Sequence, residues 1–148
     1  MARAIRLHHL AENYFPGDRM CGIEALRELA GLLRHWYGKD SITLLSVLPK
    51  LASEYEAESL FLDAARERER ALEIIQKHCK DEWHLKSLLY LYLAGRAYVK
   101  AKLFEKGIYY YEKMVYLWSL HPEVQYLSLL TLRDIKYDIK SLKRKLEM

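Results

Sequence analysis

LPKLASEY, at Leu48–Tyr55, nearly repeats LHHLAENY at Leu7–Tyr14, and a related octet, LYLAGRAY, stands at Leu91–Tyr98. A fainter copy, LTLRDIKY, occupies Leu130–Tyr137. The closing tyrosines, at 14, 55, 98 and 137, are 41, 43 and 39 residues apart. A period of this size marks a repeat architecture. On a helix, the first, fourth, fifth and eighth residues of an octet share one face. That face reads Leu-Leu-Ala-Tyr at Leu7, Leu10, Ala11 and Tyr14, and again at Leu48, Leu51, Ala52 and Tyr55. The third copy keeps the small residue and the tyrosine, at Leu91, Ala94, Gly95 and Tyr98. A small residue lets a second helix approach closely, and a tyrosine adds buried area with a polar tip. Ala30, Ala71 and Met114 each follow their tyrosine by 16 residues, so the partner helix repeats as well. Helix hairpins crossing at small residues can stack into a solenoid.

The rest of the chain is helical in pattern, and no strand alternation is found. The spacing predicts helices over about 2–14, 19–36, 42–56, 59–79, 83–100, 104–120 and 123–146. The breaks fall at Phe15-Pro16-Gly17-Asp18, Gly38-Lys39-Asp40-Ser41, Lys80-Asp81-Glu82 and His121-Pro122. Gly38 is a helix-ending glycine and Ser41 a new N-cap. Pro49 predicts a kink near Leu45–Pro49 inside its helix. The ERER run at Glu67–Arg70 reads as a solvated face with i,i+4 pairing. Tyr111, Met114 and Trp118 read as core, with Tyr109, Tyr110 and Tyr116 on an outer or junction surface. Leu132, Ile135, Ile139, Leu142 and Leu146 form an apolar stripe on the last helix. One domain over 1–148 results, with hairpins at about 2–37, 41–79 and 83–120 and a cap at 123–146.

With 51% hydrophobic and 30% charged residues, the chain can bury a core and stay soluble. A net charge of +4 is too mild for a dedicated nucleic-acid binder. Two cysteines, Cys21 and Cys79, make no disulfide framework and fit a reducing, cytoplasmic location. No signal-peptide pattern opens the chain, and no run approaches the ~20 apolar residues that cross a bilayer. His78, Cys79, Asp81, Glu82 and His84 cluster in sequence without CxxC or HExxH, and read as a solvated junction, not a metal site. His8 and His9 are adjacent on a helix and make a poor chelate. Cys21 has no base in view and reads as a buried structural thiol. No phosphate loop is present. Neither a cofactor nor catalysis is expected. The KSLKRK tail at Lys140–Lys145 places cations at a helix C-terminus, where the dipole favours them.

The octets and their partner alanines resemble the tetratricopeptide repeat, whose typical period is about 34 residues. GKDSITLLSVLPKLASEY at Gly38–Tyr55 and RALEI at Arg70–Ile74 are similar to the long-helix repeats of kinesin light chains. The chain departs from that pattern with Ser41-Ile42 in place of His-Pro, and with Gly107 and Met114 in place of alanines. Arg133 and Asp134 occupy the small positions of the fourth octet, as suits a cap. The resemblance implies an all-α, right-handed α-solenoid and a non-catalytic adaptor or scaffold. Its first helices would line a concave groove, with His8, Glu12 and Phe15, then Lys50, Ser53 and Glu56, then Tyr92, Arg96 and Lys100, then Thr131, Ile135 and Asp138 facing the ligand. The carboxylate clamp of chaperone-binding members would fall at His8, Glu12, Lys50, Leu89 and Leu93. Only Lys50 carries a suitable charge there, so chaperone-tail binding is excluded. The expected peptide contacts are Lys50, Tyr92, Arg96, Lys100, His8 and Glu12, toward an acidic segment with an aromatic anchor. The alternative is a regulatory module that contacts nucleic acid or another anionic partner through the basic C-terminal helix. At the N-terminal edge, Ile5, Ile23 and Leu26 are expected to lie partly bare, seating a homodimer or a larger partner.

Overall fold

Leu48, Leu51, Ala52 and Tyr55 are all buried, as are Leu91, Ala94, Gly95 and Tyr98, so the octet face is the packing face. In the computed structural model, which describes residues 19–78, 85–120 and 132–148, these octets lie on two of six α-helices. The helices are α1 (Arg19–Tyr37), α2 (Leu48–Ala57), α3 (Phe61–His78), α4 (Leu85–Lys100), α5 (Phe104–Leu120) and α6 (Leu132–Glu147). No strand occurs among the described residues. Each helix packs on the next in chain order, giving an all-α solenoid. The first octet, with His8, Glu12 and Ile5, lies outside the described residues, as do Cys79 and Thr131.

One hairpin turn is built twice. α2 ends with Ser59 at φ 60°, and α4 with Lys102 at φ 64°. In each case the leucine after it sends its N–H back to the octet tyrosine's carbonyl, Leu60 to Tyr55 at 2.8 Å and Leu103 to Tyr98 at 2.9 Å. The Ser59 N–H donates to the Glu56 carbonyl, and that of Lys102 to Val99. These paired bonds with one left-handed residue are a Schellman ending, and they satisfy the helix's last carbonyls. The same leucines accept from Ala64 and Gly107 at the start of the next helix. The octet tyrosine thus packs with its ring and anchors the turn with its carbonyl. The next helix starts at Phe61, two residues beyond the expected Ser59, because Ser59 is occupied by the left-handed turn.

Two expectations about the second hairpin change. Gly38, at φ 94°, ends α1, and Ser41 caps the next turn, as expected. That turn is a 3-10 helix at Ile42–Ser46, which precedes α2, and Pro49 falls in α2's first turn. There its missing N–H would have had no helical partner, so the proline starts an α-helix and does not kink one. Ile23 and Leu26 are buried, so neither supplies the bare N-terminal edge expected to seat a dimer. Cys21, expected to be buried, is exposed.

Two apolar clusters share α3. Ala64, Ala71 and Ile74 pack with α1, the 3-10 turn and α2, while Ala65 and Leu72 pack with α4, α5 and α6. Tyr111, Met114 and Trp118 are core, as the periodicity predicts. Tyr109 and Tyr116 are exposed, but Tyr110 is buried, stacked on Tyr98 at 5.9 Å and donating its hydroxyl to Glu69.

The crossing residues repeat at a spacing of 43, Ala52 and Ala64 in one hairpin and Gly95 and Gly107 in the next. The glycines are needed for closeness. A Cβ on Gly107 would lie 2.5 Å from Val99 Cγ2 and 3.2 Å from the Gly95 carbonyl. Alanine would gain about 1 kcal/mol of helix propensity, yet it meets a β-branched side chain that cannot swing away. Gly107→Ala is therefore expected to destabilise the chain by about 1–3 kcal/mol in urea titration. Val99→Ala in the same chain should recover part of that loss.

Candidate functional site

On α2, Ser53 and Glu56 are three residues apart and share a side that leans toward α3 and α4. On α3, Arg68 stands four residues after Ala64 and three before Ala71, hence on the buried face. On α4, Tyr92 and Arg96 are one turn apart. These spacings bring five side chains together. Arg68 donates to Glu56 Oε1 from Nε at 3.1 Å and from Nη2 at 2.6 Å, and Nη2 also donates to Ser53 Oγ at 3.1 Å. Arg96 Nη2 donates to Glu56 Oε2 at 3.4 Å. Side-chain exposure is 9% for Arg68, 11% for Glu56 and 38% for Arg96. Two guanidinium groups share one carboxylate, so the cluster carries one net positive charge, and its accessible part is Arg96.

Beneath Arg96 lies an aromatic platform. Its Cζ is 5.7 Å from the Tyr92 ring centroid, and Tyr92 stacks on Tyr111 at 6.0 Å with 20° between planes. Tyr111 fills the space that a side chain on Gly95 would take, since a Cβ there would sit 2.7 Å from two of its ring carbons. Burial pushes the Tyr111 hydroxyl far above its ordinary range, with Tyr92 and Asp138 adding to the shift and Arg96 opposing it. Burial, then Asp134, raises the Asp138 carboxyl.

Of the sequence-predicted contacts, Tyr92 and Arg96 are brought together. Lys50 is exposed on α2, and Lys100 is exposed at the end of α4 with its ammonium 5.6 Å from the Phe61 ring centroid. His8 and Glu12 lie outside the described residues. Ile135, expected to face a ligand, is buried in the core against α5, so the groove reading is wrong there. In the basic tail, Lys143 pairs with Glu112 at 2.8 Å and Lys145 lies over Phe104 at 5.6 Å.

The ERER run is the largest correction, because it is not a solvated stripe. Glu67 is 4.0 Å from Arg34 on α1, and Arg68 holds α2. Glu69 accepts from Tyr110 and, at 3.3 Å, from Lys106 on α5. Arg70 reaches Asp40 at 3.2 Å and the Lys39 carbonyl. Lys77, more than Arg70, holds the Asp40 carboxyl below its ordinary range. Four consecutive residues thus reach four neighbouring segments. The sequence signal for Arg68 is its register with Ala64 and Ala71. Among the described residues, no group of three metal-ligating side chains forms, and no helix is long and apolar enough to cross a membrane.

No family model matches the chain, and no curated protein matches it. Solved structures do. A point variant of a protein from Podosopora anserina, described as a putative kinesin light chain with nearly identical TPR-like repeats, superposes with a TM-score of 0.73 at 16% identity. The match covers 98% of this chain and 76% of that one. Another structure with the same description gives a TM-score of 0.57 at 18% identity over 80% of this chain. This chain spans about half, 54%, of that structure's length. The expected likeness to TPR-like repeats is borne out as one of fold.

The charge cluster can be tested through stability. Arg68→Met leaves Glu56 largely buried with only the long Arg96 contact, and should cost about 3 kcal/mol in urea titration. Arg68→Met with Glu56→Leu should recover much of that loss. Glu67 bears on pH. Burial raises its carboxyl above the usual 4.5, while Arg34 and Arg27 oppose the shift. Between the unfolded and the folded pKa, the folded form therefore holds a proton that the unfolded chain has lost. The associated stability is present below the unfolded pKa and is lost as pH rises through the folded one. Glu67→Gln should remove that part of the decline, seen as a smaller drop in urea midpoint than wild type over the same pH rise.

Proposed function

We propose that the chain is a non-catalytic protein-interaction module, an adaptor or scaffold that takes a peptide or protein segment across α2 and α4. The observation that carries this reading is Arg96, held over Tyr92 with its guanidinium only partly used by Glu56. The cluster's one unbalanced positive charge suits a carboxylate from the ligand, and charge-assisted bonds to arginine are among the stronger polar contacts. Tyr92 offers its ring edge to an apolar or aromatic side chain of the same segment. Lys50 and Lys100 extend the cationic line on either helix, and His8 and Glu12, outside the described residues, are the remaining proposed contacts of the segment. The fold likeness to TPR-like repeats supports the interaction class, while the ligand chemistry rests on the residues themselves.

The test is capture of binding partners by the intact chain, followed by affinity measurement for each captured segment. Arg96→Glu and Tyr92→Ala should each weaken binding by about tenfold or more, as for interface anchors, with the helical circular dichroism unchanged. Unchanged affinities in both folded variants would remove the ligand from this face.

A further inference from the structure

A second, separate hollow opens at the edge of the solenoid where the α4–α5 turn meets the start of α3 and the end of α6. Its volume is about 460 Å³. Leu62, Leu103 and Leu146 line it from three different elements, and they are 41%, 43% and 45% exposed. Phe104 and Tyr98 contribute aromatic surface. Three exposed leucines converging on one concavity differ from the scattered apolar residues of an ordinary surface.

The hollow is cationic at its rim. Arg66 and Lys102 line it, and neither side chain makes an ion pair or hydrogen bond among the described residues. Lys106 lies on the Tyr98 ring at 4.8 Å, and Lys145 on the Phe104 ring at 5.6 Å. Glu105 is the one acidic lining residue among those described. Lys102 is fixed by the Schellman turn, so its position follows from the backbone.

We infer that this hollow is a docking point for an acidic peptide segment that inserts one leucine- or phenylalanine-sized side chain. The apolar side chain covers Leu62, Leu103 and Leu146, and carboxylates on either side meet Arg66 and Lys102. A central apolar anchor within a charged rim is the arrangement in which few residues dominate binding, and the rim's sign selects an acidic partner. The site shares none of its residues with the Arg96 cluster, so it stands or falls independently of the function proposed above.

The test is an NMR titration of the isotope-labelled chain with a short synthetic peptide of aspartates and glutamates around a single leucine. One control replaces the leucine by serine, and another replaces the acidic residues by lysine. Saturable shifts are expected at the amides of Leu62, Arg66, Lys102, Leu103 and Leu146. The serine peptide and the lysine peptide should each bind at least about tenfold more weakly. Arg66→Glu with Lys102→Glu should abolish the shifts, Leu62→Ser should weaken them, and Arg96→Glu should leave them unchanged. Equal binding of the serine peptide, shifts confined to α2 and α4, or no saturable shifts would each overturn the inference. Concentration-dependent shifts at these amides without peptide would also overturn it, by making a second copy of the chain the occupant.

Discussion

Everything in this solenoid leans on the rotation of α3, and the buried Arg68–Glu56 pair fixes it. Both apolar clusters draw on α3, so its buried side is broad, and a stripe through Asp63, Arg66, Glu73 and Lys77 stays exposed. Apolar burial is non-directional. It sets which side of α3 faces inward but fixes the rotation only loosely within that broad side. The ion pair fixes it more closely, because Arg68 meets Glu56 and Ser53 together in only one phase. A buried pair adds little net stability over an apolar replacement, and its best-attested use is to set register. The flanking charges act in the same sense, since Glu69 and Arg70 reach opposite neighbours from adjacent positions.

A second dependence runs from glycine to the surface under Arg96. Where the α2–α3 crossing uses Ala52 and Ala64, the α4–α5 crossing uses Gly95 and Gly107. The extra space is taken by the Tyr111 ring, which lies against Gly95 and stacks on Tyr92. Tyr92 in turn supports Arg96. A change in the smallest residue of a hairpin thus builds the surface on which its cation rests. The same alanine-to-glycine difference reads in sequence only as a departure from the repeat.

The architecture is legible in the sequence because the octet meets two requirements at once. Its one-face pattern fixes the helix, and its recurrence fixes the stack. Periodicity does not tell how many neighbours cover a face. Charge usually means water, so Arg68 reads as solvated, yet its register with Ala64 and Ala71 places it inside, and paired arginines are admissible there. Tyr110 reads as outer for a similar reason, because its acceptor, Glu69, belongs to the same run. Register alone assigns Ile135 to the groove, but α6 turns Ile135 and Leu142 to the core. Pro49 suggests a kink because a proline within a helical run does not reveal that the α-helix begins there. The hairpin turn has a sequence mark of its own. Leu60-Phe61 and Leu103-Phe104 stand at the same distance from their tyrosines, at the Schellman ending and the next helix start.

The mild net charge conceals how the cations are arranged. Lys100, Lys106, Lys113, Lys145 and Arg96 all lie over phenylalanine or tyrosine rings. An aliphatic stem on a ring covers apolar surface that would otherwise face water, while the charged head gains a cation–π contact. The rings thereby hold long side chains that would otherwise sample many rotamers. A ligand that meets an already ordered cation forgoes part of the usual ordering cost, about 0.5–1.5 kcal/mol for each immobilised side chain. Arg96, held both by the Tyr92 ring and by Glu56, is ordered in this way, and the proposed carboxylate contact would draw on that order.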